Sequence, residues 1–152
     1  MKTQTKEELE PKHTIPYLEH GLKIQGKTHL EIQELSGIRN ETVYTKEGNS
    51  RYGWADIADI KLILRPLSDL TKEIDLGEKY KYPMANIFYD WSVGENIEMS
   101  LNEHGELIEF WITDREESTV TREDWDFLFK HHFDVFGLIE KGLAISYNDL
   151  DN

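Results

Sequence analysis

The 152-residue sequence contains no cysteine. That absence removes disulfide frameworks, thiolate zinc sites and thiol nucleophiles from consideration. Long apolar runs are also missing. The longest nearly apolar stretch, Ile60 to Leu64, is interrupted by Lys61 and falls far short of the roughly 20 residues of a membrane span. Met1 to Thr14 is polar and mixed in charge, without the apolar centre of an export signal, so a cytoplasmic location and no membrane contact are expected. Basic residues are scarce: 17 Lys and Arg against 30 Asp and Glu, a net charge of −13. Phosphate backbones and anionic lipid would repel such a chain, so direct binding of nucleic acid is not expected.

The shortage of bases is local. Residues 1–84 hold fourteen acids and thirteen bases, whereas residues 85–152 hold sixteen acids and four bases. Within it, the stretch from Glu95 to Asp126 holds eleven acids, Glu95, Glu98, Glu103, Glu106, Glu109, Asp114, Glu116, Glu117, Glu123, Asp124 and Asp126, against Arg115 and Arg122. Charge asymmetry of this kind says something about partners: an acidic face fits a protein with a basic surface.

Residues 1–14 read as a flexible arm and 15–152 as one α+β domain, or as two lobes, a near-neutral 15–84 and an acidic 85–152. Short strands and tight turns predict small antiparallel sheets. Gly21 to Gln25 opens the fold; Leu30 to Leu35 stops at a Ser36-Gly37 turn; Glu41 to Lys46 returns and turns again at Gly48-Asn49-Ser50 before Tyr52-Gly53-Trp54. Lys61 to Arg65 reads as a buried strand, supported by Pro66, and Ser68 or Asp69 caps a brief helix, Leu70 to Ile74. In the acidic half, Ile97, Met99 and Leu101 share one face, Asn102 to Gly105 turns, and Glu106 to Thr113 returns as a strand apolar on both faces, hence central. Thr121 caps a carboxy-terminal helix whose Trp125, Leu128, Phe129, His132 and Phe136 form a stripe packing on the sheet. Leu143 to Ile145 returns as a short strand.

Chemistry-bearing motifs are few. The chain has no phosphate-binding glycine loop, nucleophile elbow or His-Glu-x-x-His segment. His131 and His132, near Asp134, are adjacent on the expected helix and point about 100° apart, a poor geometry for one ion. Carboxylates such as Asp56 and Asp59 lack the framing of a catalytic cleft. No catalytic residue, metal or cofactor is assigned, and the chain is read as a binding protein, not an enzyme. Tyr89 and Trp91, beside Asp90 and Glu95, are the aromatic candidates for an interface, where Tyr and Trp are enriched. They join Glu95, Glu98, Glu103, Glu106, Glu109, Asp114, Glu116 and Glu117 as expected partner-binding residues.

The run Ile60-Lys61-Leu62-Ile63-Leu64-Arg65-Pro66-Leu67-Ser68-Asp69-Leu70-Thr71-Lys72-Glu73-Ile74 resembles a segment of small proteins encoded by phages and prophages of Bacteroidetes. So does His132-Phe133-Asp134-Val135-Phe136-Gly137-Leu138-Ile139-Glu140-Lys141-Gly142-Leu143-Ala144-Ile145, and more loosely Tyr17 to Lys23. The resemblance implies a phage accessory protein and carries over no catalytic residue. In size, charge and origin the chain also resembles the anti-CRISPR class. That implies an inhibitor of a host nucleic-acid-binding effector, such as an RNA-guided CRISPR nuclease or its RNA-bound complex. The alternative is a structural or packaging accessory of the phage whose acidity serves solubility alone.

Overall fold

The computed structural model describes residues 8–27, 32–47, 51–88, 97–112 and 121–150. The fold is α+β, and the chain divides into two units: unit 1 is Met1–Leu64 with Leu138–Asn152, and unit 2 is Arg65–Gly137. The division therefore falls at Leu64 and Gly137 rather than near Met84.

Unit 1 is built on a six-stranded sheet formed by β1 (Lys23–Gly26), β2 (Ile32–Arg39), β3 (Thr42–Glu47), β4 (Arg51–Asp56), β5 (Ile60–Leu64) and β8 (Ala144–Ser146), in the order β4-β3-β2-β1-β5-β8. All neighbours run antiparallel except β5 and β8, which are parallel and register Leu62 with Ala144. Period-two alternation puts Ile24, Leu35, Val43 and Leu62 on the buried face, each at most 2% exposed. Ser36-Gly37, expected as a turn, instead lies inside β2. Leu35 pairs with Thr45 and Gly37 with Tyr44, so Ser36 is one extra residue, a bulge. The real turn is Asn40-Glu41, where Asn40 takes the left-handed φ of 55° that asparagine tolerates. The turn read at Gly48-Asn49-Ser50 lies outside the described residues.

Between β4 and β5, Asp56 accepts a hydrogen bond from the Ala58 amide at 3.0 Å and caps a single 3-10 turn, Ile57–Asp59. The segment expected to be a flexible arm contributes α1 (Pro11–Thr14), with Leu9, His13 and Thr14 buried. The Glu10 amide donates to His13 Nδ1 at 3.0 Å and ties this turn together.

Unit 2 consists of a 3-10 turn (Leu67–Thr71), α2 (Pro83–Phe88), the hairpin β6 (Ile97–Leu101) and β7 (Leu107–Ile112), and α3 (Arg122–Lys130). The turn over Leu67–Thr71 starts after Pro66 rather than at a Ser68 or Asp69 cap. A two-stranded sheet is marginal alone and needs a cover. Here Ile97, Leu107 and Phe110 of the hairpin join Leu70, Met84, Ala85, Ile87, Leu128, Phe133 and Val135 in one buried cluster. Phe110 meets Trp125 of α3 edge-on, with ring centroids 6.2 Å apart.

Thr121 caps α3 as its sequence indicates: its hydroxyl accepts from the Asp124 amide, and the Asp124 carboxylate accepts from the Thr121 amide. The helix is shorter than the apolar stripe suggests. It ends at Lys130 because the Phe133 amide donates to Leu128 O and the His132 amide to Phe129 O, with His132 left-handed at φ 63°. This is the closing pattern usually built on glycine. His132 and Phe136 thus lie beyond the helix.

Candidate functional site

The acidic residues gather on the hairpin of unit 2, and one bulge decides where they point. Ile97 pairs with Ile112, Glu98 with Trp111, Met99 with Phe110 and Ser100 with Glu109, after which Leu101 pairs with Leu107. Ile108 is the extra residue. The bulge lets Leu107 and Phe110, three apart in sequence, both enter the core and leaves Ile108 51% exposed, while Leu101, the last residue of β6, is 50% exposed opposite buried Leu107. β7 is therefore not a central strand covered on both faces, whereas Ile97, Met99 and Leu101 do alternate onto one face of β6, with Leu101 exposed at the turn end. An Asn102 side chain shapes the turn by accepting from the His104 and Glu106 amides at 2.8 and 2.9 Å. Gly105 closes it at φ 78°. Gly137 lies against this turn so closely that a Cβ there would come within 2.6 Å of the Gly105 carbonyl oxygen.

Four expected contact residues are brought together here. Glu98 and Glu109 share the outward face as diagonal neighbours, a spacing of about 7–8 Å. The Glu98 carboxylate accepts the Trp111 indole N–H at 2.9 Å, which holds both side chains on the surface. Glu106 accepts from the Asn102 amide group at 2.9 Å and so has a structural task in the turn. Glu103 stands at the tip, its side chain 86% exposed, with His104 Nε2 at 3.4 Å. Glu95, Asp114, Glu116, Glu117, Tyr89 and Trp91 lie outside the described residues. The arrangement is an acidic outward face and tip, with two exposed aliphatic side chains, Leu101 and Ile108, at the turn end of the hairpin.

At the far end of α3 a second polar cluster forms. Glu78 Oε1 accepts from Lys130 Nζ at 2.9 Å and lies 3.0 Å from His131 Nε2. The Lys130 hydrogen bond, then that of His131, holds the Glu78 carboxyl below its ordinary value, outweighing its partial burial. His131, its side chain only 11% exposed, packs on Phe127 at 4.7 Å. Burial pushes its pKa below the usual histidine value despite the nearby carboxylate. An ionised carboxylate can only accept, so Nε2 carries the proton of a neutral His131. The cluster clamps the end of α3 and has no nucleophile or open acid in it.

A third feature, on unit 1, escaped the sequence reading. Tyr44 of β3 and Trp54 of β4 are cross-strand partners on the sheet face opposite the buried one, 36% and 76% exposed. Gly37 of β2 continues their row and has no atom within 4 Å of where a Cβ would lie. The neighbouring rows on this face hold Lys23, Glu34 and Lys46 on one side and Arg39, Thr42 and Asp56 on the other. The available signal was the symmetry of the expected hairpin, since a turn centred on Asn49 sets residue 44 opposite residue 54.

Among the described residues no group of His, Asp and Glu could hold a metal ion. None of their helices is long and apolar enough to cross a membrane. Comparison with protein-family models, curated proteins and solved structures gives no match to this chain.

Proposed function

We propose that the chain is a non-enzymatic binding protein that docks the acidic hairpin of unit 2 on a basic protein surface. The observation that supports this reading is the gathering of Glu98, Glu103 and Glu109 on one hairpin whose turn end also exposes Leu101 and Ile108. Charge steers the encounter and apolar contact at the turn end holds it. Unit 2 contains seventeen acids and seven bases, so its field extends well past the hairpin. Basic channels of nucleic-acid-processing enzymes offer the complementary charge. The resemblance to phage proteins makes a host defence effector, such as an RNA-guided CRISPR nuclease, the target class, and inhibition the outcome.

The test is a pull-down from a Bacteroidetes lysate carrying CRISPR systems, followed by reconstitution with the captured protein. A basic nuclease retained at low salt, released at high salt and inhibited in its cleavage assay is the expected result. The triple variant Glu98→Lys, Glu103→Lys and Glu109→Lys should abolish inhibition while remaining folded by circular dichroism. Normal inhibition by that variant, or capture of virion proteins alone, would overturn the reading.

A further inference from the structure

We infer that the exposed face of the unit 1 sheet around Tyr44 and Trp54 binds single-stranded nucleic acid. The inference is independent of the hairpin and of its partner. A tryptophan at 76% exposure leaves a large apolar ring in water, and here Tyr44 stands directly opposite it. Such a pair is a ready stacking surface, because every unpaired base has a π-face to lay on a ring. Gly37 extends the row as a shelf without a side chain, with nothing within 4 Å of its missing Cβ. A planar base thus has room to lie across the row.

The charges around the row have the sign this ligand needs. Lys23, Lys46 and Arg39 are exposed on the same face, and Lys61 joins them through its register with Gln25. The acids on that face are Glu34 and Asp56. Asp56 is engaged in capping the Ile57–Asp59 turn, and Glu34 lies over Gly21, where a Cβ would come within 2.8 Å of its Oε1. Around the row the balance is three bases against two acids, with Lys61 on the same face farther along the sheet. The net −13 of the chain argues against phosphate contact only if charge is spread evenly, and it is not. At physiological salt a surface responds chiefly to charges within about 8 Å. Single strands fit better than a duplex, since paired and stacked bases cannot reach the rings.

The experiment is fluorescence anisotropy of labelled oligo-uridine and oligo-thymidine of about 12 nucleotides at about 50 mM salt, with the intact chain. Saturable binding is expected, with a log–log salt slope of about −2 to −3 for three or four phosphate contacts. A duplex of equal length should bind at least about tenfold more weakly. Trp54→Ala and Tyr44→Ala should each weaken binding about tenfold or more, Lys46→Glu should weaken it further as salt falls, and Trp54→Phe should retain most of it. Because Trp54 is so exposed, the Trp54 variants should stay folded, with a melting temperature within a few degrees of wild type. No saturable binding, or equal binding by Trp54→Ala, would overturn the inference. So would a Trp54→Ala variant that changes only self-association in sedimentation velocity, which would assign the face to a second copy of the chain.

Discussion

Unit 1 and unit 2 both cover an antiparallel array of strands, but they do so with different material. In unit 1 six strands share the work, and alternation, reset by the bulge at Ser36, separates a buried face from an open one except in β5, where Leu62, Ile63 and Leu64 are all buried. In unit 2 two strands carry the array, and α2, α3 and the segment around Phe133 must close over them. Charge follows the same line. Unit 1 holds thirteen acids and ten bases, while unit 2 holds seventeen and seven. The segment 65–84, near-neutral in isolation, belongs with the acidic unit, so the units, at −3 and −10, are less lopsided than the sequence halves, at −1 and −12. A small unit with one shared cluster depends heavily on each member of it, whereas a broad sheet tolerates a local imperfection.

That contrast can be broken most directly at Phe110, 1% exposed and central to the unit 2 cluster. Phe110→Ala should cost about 3–5 kcal/mol in urea unfolding followed by tryptophan fluorescence. A loss below about 1 kcal/mol would show that the hairpin does not centre the core of unit 2. The converse test lies in unit 1, where Thr45 is 2% exposed and its hydroxyl has no hydrogen-bond partner among the described residues. Thr45→Val keeps the shape and removes the stranded polar group, and should raise stability by about 1 kcal/mol in the same assay. A fall would mean that the hydroxyl has a partner in solution.

The smallest expected effect concerns pH. The folded state lowers the His131 pKa, so it binds fewer protons than the unfolded chain, and its stabilising preference for neutral histidine is lost as pH falls past 6.5. Glu78, held below its ordinary value, adds a further loss as pH falls below about 4.5. The wild-type melting temperature should drop more between about pH 7.5 and 5.5 than that of His131→Gln. Equal drops would remove His131 from the pH response of unit 2.

The parts of the fold legible in the sequence are those ruled by local chemistry. Alternation and turn residues locate β1, β3 and β6; the Thr121 and Asp124 pair locates the start of α3; and the apolar run at 143–145 locates β8. Two bulges defeat period-two reading, because one extra residue at Ser36 or Ile108 shifts every later side chain to the other face. The end of α3 was hidden for a related reason: His132 occupies a backbone conformation for which glycine is the usual cue. At the candidate site, the hairpin acids could be listed from the sequence, but the structural tasks of Glu98 and Glu106 depend on register and on the Asn102 turn. The aromatic face of unit 1 was overlooked because exposure is a tertiary property and Trp54 alone looks like a core residue.

The sheet of unit 1 is interrupted by the whole of unit 2, and this separates the synthesis of its last strand from that of the other five. β5 leaves the sheet at Leu64, seventy-three residues of unit 2 intervene, and β8 then returns beside β5. During synthesis β1 to β5 emerge first, while the sixth strand emerges only after unit 2 is complete. Bringing ends together across a flexible loop costs entropy that grows with its length, about 0.6 kcal/mol for each doubling. Within unit 2 the Arg65 amide donates to His132 O at 2.7 Å and the Asp134 amide to Arg65 O at 2.8 Å, so the two ends of the insertion are already fastened together when it folds. With the ends of the insertion fastened, residues 138 to 143 are the span left to bring β8 beside β5.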